Sequence, residues 1–331
     1  SAINFYYKAL EINPKNNLVY TNIAITYCRL KKFDQATKYY NKVIKLGMER
    51  SNLNLSYAYL LLHKKKFKEA WDLFESRLDT EKVKNKNIYH EFIKDKISFK
   101  SEIKKEDKIL IVKEQGVGDE ILFSSMYKDL LKITKDVKIE SDKRLLKIYE
   151  RSFGQNIFFP YGYFSSSKNK IKKFNKVYYA GSLTKQFRKN IESFSKKPYL
   201  LSNEKNDEKI KKIMNEFKTN KKIGISWKSV VNIYGQLKSL NIEDFIPLFK
   251  NNRTFINLQY GNVDKEINKI NKKGFEIYNF KNIDLFNDFD SILSILKNLD
   301  LFITVSNSTA HIAGSLGVPT IVICPKKSST Y

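Results

Sequence analysis

Cysteine and histidine are nearly missing from this chain, with two and three copies in 331 residues. Cys28 and Cys324 both fall in apolar helix or strand contexts, and there is no Cys-x-x-Cys pair. A disulfide scaffold is thereby excluded, and buried thiols in a reducing compartment are expected. His63, His90 and His311 show no metal-ligand spacing, so no metal site is expected. No apolar run approaches the length of a membrane span, and no signal peptide is visible, although a segment preceding Ser1 would hide one. Acidic residues are scarce beside basic ones, 35 against 61, for a net charge of +26. The lysines are scattered along every helix, and no helix carries a basic stripe with base-reading residues. Lys, Asn, Ile, Phe and Tyr are abundant together, as an A+T-rich coding sequence dictates. No nucleic-acid partner is therefore expected, and the charge leaves only a general attraction to anionic ligands or a membrane surface.

What is present begins with a repeat. Ala2, Ala36 and Ala70 are 34 residues apart, and so are Tyr6, Tyr40 and Phe74. Phe33 and Phe67 sit in near-identical runs, Lys-Lys-Phe-Asp-Gln-Ala and Lys-Lys-Phe-Lys-Glu-Ala. Small residues at this period let paired helices approach, with aromatics between them, which is the tetratricopeptide signature. Residues 1–79 are expected to form such helix pairs. The first unit starts at its second helix, so the chain is expected to begin inside a longer array. Residues 80–107 are lysine-rich and read as a connector.

The most informative stretch runs from Asp300 to Pro325. It reads as a buried strand, Leu301–Val305, a cluster of small polar residues, a short helix, and a second buried strand, Thr320–Cys324. Ser306, Asn307, Ser308 and Thr309 stand where strand gives way to helix. A helix N-terminus there offers free N–H groups and partial positive charge, a phosphate site. The same residues also serve simply as a helix cap.

Between these regions strands and helices alternate. Lys108–Lys113, Val137–Glu140, Asn156–Phe159 and Lys176–Ala180 form one series of strands. Ile223–Trp227, Thr254–Leu258, Phe275–Tyr278 and the two C-terminal strands form another. Helices are expected around Ile242–Phe249, Asp264–Asn271 and Asp288–Leu299. Such alternation implies parallel sheets. The expectation is two doubly wound domains, 108–198 and 199–331. After the first strand, Gly116 and Gly118 flank Val117 ahead of a helix. Ile121 replaces the third glycine of a dinucleotide fingerprint, so the turn reads as a place where a substrate approaches the backbone. Asp119 at the helix start either faces the cleft or caps its helix.

Taken together, Glu114-Gln-Gly-Val-Gly-Asp-Glu-Ile-Leu-Phe, Gly224-Ile-Ser-Trp, Leu237-Lys-Ser-Leu, Leu258-Gln and Ser306-Asn-Ser-Thr-Ala-His-Ile-Ala-Gly-Ser-Leu-Gly-Val-Pro resemble the heptosyltransferase-like glycosyltransferases. The closer likeness is to the bacterial subgroup with N-terminal tetratricopeptide repeats, and Glu69-Ala-Trp-Asp-Leu-Phe-Glu-Ser-Arg-Leu resembles that subgroup's junction. O-GlcNAc transferase shares the plan more distantly. The resemblance implies helical repeats followed by an α/β GT-B enzyme, two Rossmann-like domains with parallel sheets. The first would take the acceptor and the second, truncated here, the donor; the segment expected after the last strand is missing from the sequence.

The resemblance further implies inverting transfer of a sugar from a nucleotide-diphosphate donor, without a metal or other cofactor. The acceptor would be a protein or glycan recruited by the repeats, and the location cytoplasmic or peripheral at the inner membrane. Asp119 matches the family's general base. Lys238 matches a basic residue that stabilises the leaving diphosphate. Ser308 and Thr309 match hydroxyl positions at the phosphate helix, with Ser306, Asn307 and His311 beside them. The family usually carries Asp-Thr where this chain has Ser306-Asn307, which bears on which donor is used. A noncatalytic repeat scaffold with a degenerate GT-B part is the alternative.

Overall fold

The computed structural model describes residues 2–47, 51–79, 101–164, 167–219, 221–229, 235–249 and 252–325. Most of the connector expected at 80–107 lies outside the described residues. Contacts divide the chain into two compact units. Ser1–Glu102 with Ser167–Phe194 belong to the first, and Ile103–Ser166 with Ser195–Pro325 form the second. The expected domain 108–198 is thus divided between them.

The first unit opens with five helices: α1 (Ala2–Ile12), α2 (Asn17–Arg29), α3 (Phe33–Lys45), α4 (Ser51–His63) and α5 (Phe67–Phe74). The 34-residue period is visible in their starts, 17 to 51 and 33 to 67. It extends to single hydrogen bonds. Lys31 and Lys65 turn the chain at φ 57° and 58°. The N–H groups of Lys32 and Lys66 then reach back to the carbonyls of Tyr27 and Leu61, both at 2.9 Å. Three-residue turns of this kind fold α2 onto α3 and α4 onto α5. The small residues that permit close helix approach, Ala24, Ala36, Ala58 and Ala70, are completely buried, as is Tyr40 between them. The junction residues hold the later segment of the same unit. Trp71 Nε1 donates to the Arg188 carbonyl at 2.6 Å. Buried Arg77 donates to Ser182 Oγ at 3.0 Å and to Glu75 Oε1 at 2.9 Å.

Next along the chain come β1 (Ile109–Val112), α6 (Val117–Ser124), α7 (Tyr127–Ile133), β2 (Val137–Ser141), α8 (Leu146–Phe153) and β3 (Phe158–Pro160). Short α9 (Lys168–Lys172), β4 (Lys176–Tyr179) and α10 (Thr184–Phe187) follow, within the first unit. The chain then returns to the second unit with α11 (Glu204–Asn215), β5 (Lys221–Ser226), β6 (Arg253–Asn257), α12 (Asp264–Asn271), β7 (Ile277–Tyr278), α13 (Phe289–Lys297), β8 (Leu301–Val305), α14 (Ser308–Leu316) and β9 (Thr320–Ile323).

Two parallel sheets result. In the first, the strands lie in the order β3-β2-β1, with Ile109 opposite Val137 and Ile139 opposite Phe158. In the second the order is β7-β6-β5-β8-β9. Every residue of β1 is buried, as continuous apolar strands of a helix-covered sheet must be. The second sheet's core gathers Ile225, Trp227, Phe245, Phe255 and Ile270. Residues 242–248 form a 3₁₀ helix closed by Pro247.

The strand at Thr320 departs from expectation. It lies at the sheet edge, and Ile321 and Val322 are 52% and 41% exposed. Cys324 beyond it is exposed too, whereas Cys28 is buried as expected. An apolar run records that a strand forms and leaves its place in the sheet unrecorded.

Candidate functional site

The second sheet reverses its strand order between β5 and β8, the position where open α/β sheets bind ligands. Ser226 ends one of these strands, and Ser306 follows the other. Asn307 joins them, donating through Nδ2 to Ser226 Oγ at 2.9 Å. Through Oδ1 it accepts from Ala310 N at 3.1 Å, and so caps α14. Asn307 and Thr309 are buried, at 7% and 3% exposure. The cap and the bond to Ser226 give Asn307 a part in holding the fold. Ser306 and Ser308 are half-buried, and neither side chain has a hydrogen-bond partner among the described residues. They are the hydroxyls of this turn that a ligand can reach.

Gln259 organises the same edge. Its Oε1 accepts from Ser226 Oγ at 3.0 Å, Trp227 N at 2.9 Å and Lys228 N at 2.6 Å. Three donors on one oxygen fix the chain as it leaves β5. Trp227 is completely buried and donates to Glu266 Oε2 at 2.8 Å, so it is a core residue. Lys228, at the strand end, is paired with Glu266 at 2.6 Å. The sequence marked Gln259, Ser226 and Trp227 only as members of the motifs Leu258-Gln and Gly224-Ile-Ser-Trp, and nothing local announced that they bond to one another.

The first sheet brings α6 against α14. The loop between β1 and α6 carries Gln115 at φ 60°, a left-handed conformation for a non-glycine residue. Gly118 makes the helix contact possible. A Cβ there would lie 2.9 Å from His311 Cδ2 and 3.6 Å from the Ser308 Cα. Within this chain, the neighbour that a side chain at Gly118 would crowd is His311. At Gly116 a Cβ would meet only Asp119 Oδ2, at 3.5 Å.

Asp119 accepts from Gly116 N at 3.3 Å, the capping contact. It is also half-buried beside His311 and Lys238. Burial raises its carboxyl above the ordinary carboxylate range, opposed by the Gly116 N–H and by the charge of His311. Burial lowers the His311 imidazole, Lys238 lowers it further, and Asp119 pushes the other way. Lys238 is lowered by burial and supported by Asp119 and Cys324. Three sequence-predicted residues from separate segments therefore form one electrostatic group at the start of α14. Such a group can move a proton and hold an anion.

Behind it sits a fourth titratable residue that the sequence did not single out. Glu120 is 1% exposed. Its carboxylate accepts from Ser141 Oγ at 2.6 Å and Asp142 N at 3.1 Å. Lys113 Nζ stands 3.6 Å away. Burial outweighs these partners and pushes the acid up to about 7.

No family model matches the chain. Protein FlbA of Caulobacter vibrioides is 26% identical over 245 residues, 67% of this chain and 40% of FlbA. The chain thus spans about two fifths of the length of that curated relative. A glycosyl transferase family 9 structure from Veillonella parvula matches with a TM-score of 0.53 at 12% identity, covering 71% of this chain and 87% of that one. E. coli ADP-heptose LPS heptosyltransferase II gives a TM-score of 0.47 at 11% identity, covering 66% and 84%. The Veillonella likeness shows a fold of the GT-B glycosyltransferase type. No helix among the described residues is long and apolar enough to cross a membrane.

Proposed function

We propose that this chain is an inverting, metal-independent glycosyltransferase of the heptosyltransferase-like kind, working in the cytoplasm. It moves a sugar from a nucleotide-diphosphate donor to a protein or glycan acceptor recruited by the helical repeats. The observation that carries the reading is the grouping of Asp119, His311 and Lys238 at the N-terminus of α14.

In this reading the diphosphate lies at the start of α14. The first-turn N–H groups and the Ser306 and Ser308 hydroxyls offer donors, and the Lys238 ammonium offers charge. Asp119 takes the proton of the acceptor hydroxyl as that oxygen bonds to the anomeric carbon. The bond from carbon to diphosphate breaks on the opposite face, which inverts the configuration. Negative charge grows on the leaving group, where Lys238 and the helix dipole stabilise it most. A carboxylate held above its ordinary range is a better base near neutral pH than a free one. Burial lowers the His311 imidazole, and Asp119 beside it pushes the other way.

The capping bond from Gly116 N to Asp119 favours a second reading, a noncatalytic scaffold in which Asp119 only holds its helix. Asp119→Asn separates the two, because it keeps shape and most of the cap and cannot accept the proton. Hydrolysis of a panel of nucleotide sugars by the wild-type chain would identify a donor. The transferase reading predicts a loss of about 10²–10⁴-fold in the variant with nucleotide binding retained. Equal turnover by variant and wild type assigns Asp119 to the cap.

A further inference from the structure

We propose that a second ligand site lies at the outer strand of the second sheet and takes a small anionic sugar. A cavity of about 610 Å³ opens at the carboxyl end of β7, against α11 and the start of α13. That volume is in the range of small-molecule pockets, and the carboxyl edge is where open α/β sheets hold ligands. A cavity of about 580 Å³ elsewhere in the sheet opens at Arg253–Phe255, where β6 begins, and lacks this placement.

The lining has one apolar wall. Tyr278 and Phe280 meet edge-on with ring centroids 4.9 Å apart, and Ile210 adds aliphatic surface. Phe280 and Ile210 are buried, so the wall is fixed. Such a surface suits one face of a ring.

The polar lining is rich in unmatched donors. Lys209 and Lys281 have no ion pair or hydrogen bond among the described residues, nor do the side-chain amides of Asn206 and Asn282. Asn279 Oδ1 accepts from Asn257 Nδ2 at 3.0 Å, and its own NH₂ has no hydrogen-bond partner among the described residues. The pocket's one carboxylate, Asp288, is committed on both oxygens, to Ser291 N at 3.0 Å and Ser291 Oγ at 2.6 Å. Two lysines and three asparagines therefore line the pocket beside a single carboxylate that is already occupied. A cation meets two lysines and one carboxylate that is already committed, and so gains nothing here. A ligand that satisfies the site brings negative charge, several acceptor oxygens and a ring: a sugar bearing a carboxylate or a phosphate. The site shares no residue with the Asp119–His311–Lys238 group and does not depend on the transferase reading.

Calorimetric titration of the full chain with glucuronate, glucose 6-phosphate and glucose tests this. Binding of glucuronate alone assigns the charge to a carboxylate, binding of glucose 6-phosphate alone to a phosphate, and either supports the site. Lys209→Ala/Lys281→Ala should weaken that binding by about 10-fold or more. Its melting temperature and its affinity for nucleoside diphosphates should stay unchanged. Lys281→Gln alone must show the same direction, which covers any loss of fold in the double variant. Glucose binding as well as the acidic sugars, no binding of either acid at millimolar concentration, or unchanged affinity in the lysine variants overturns the proposal.

Discussion

Gly118 lies beneath the imidazole of His311: a Cβ built on it would stand 2.9 Å from the ring's Cδ2, with the Ser308 Cα at 3.6 Å. This is the point where the helix after the first sheet's opening strand meets the helix that follows β8. The His311 ring would have to shift, while the Ser308 Cα stands at ordinary contact distance. Gly118→Ala is expected to destabilise the protein by about 1–3 kcal/mol through overpacking. Gly314, in the same α14, has nothing within 4 Å of its virtual Cβ. Gly314→Ala should be neutral or stabilise by up to about 1 kcal/mol, since a helical glycine loses entropy on folding. Urea unfolding of the two variants compares them directly, and equal effects would mean that α6 and α14 do not pack this closely.

Glu120 should make stability depend on pH with a definite sign. Its folded value of about 7 lies above the ordinary 4.5, so the folded state holds the proton more tightly than the unfolded chain. Stability from this group is fully present below pH ~4.5 and is lost as pH rises towards 7, by up to about 3 kcal/mol. Glu120→Gln keeps the carbonyl oxygen that Ser141 and Asp142 use and removes the titration. Unfolding free energies measured across pH 4.5–7.5 should show a falling component in the wild type that the variant lacks. Parallel curves would contradict the buried-acid account.

Gln259 gathers three donors onto one oxygen at the exit of β5. Gln259→Leu leaves Ser226 Oγ, Trp227 N and Lys228 N competing for partners in a buried edge. A loss on the order of 3 kcal/mol is expected, against about 1–2 kcal/mol for Asn307→Ala at the cap of α14. Denaturant titration ranks the two, and a milder effect at Gln259 than at Asn307 would remove its organising role.

The parts legible in the sequence are those encoded locally. Ile109–Val112 and Leu301–Val305 read as buried strands because their side chains are apolar but for Thr304, and nearly all of them are buried. Thr320–Cys324 carries the same kind of run, yet it forms an edge, because strand order depends on which neighbours pair. The helix-forming character of residues 1–79 was legible, since the 34-residue phase recurs in Ala36 and Ala70, both buried where helices meet. Lys31 and Lys65 at positive φ were not, because lysine carries no preference for that region. In the candidate site, Asp119, Lys238 and His311 were named through resemblance, and the fold brings them close enough to act on one another's charge. The bonds that Gln259 and Glu120 make, and the contact of Gly118 with His311, were not legible, since each is defined by partners from distant segments. The division of 108–198 between two units has the same origin. Trp71 and Arg77 bind a segment more than a hundred residues away, and no local pattern announces it.

The central claim, that Lys238 and the start of α14 form a diphosphate site, is tested most directly by calorimetric titration of the chain with nucleoside diphosphates. At least one should bind, and Lys238→Ala should weaken it by about 10–100-fold, the loss of one charge-assisted hydrogen bond. If no nucleoside diphosphate binds, or the variant binds as tightly as the wild type, the site is not what this account makes it.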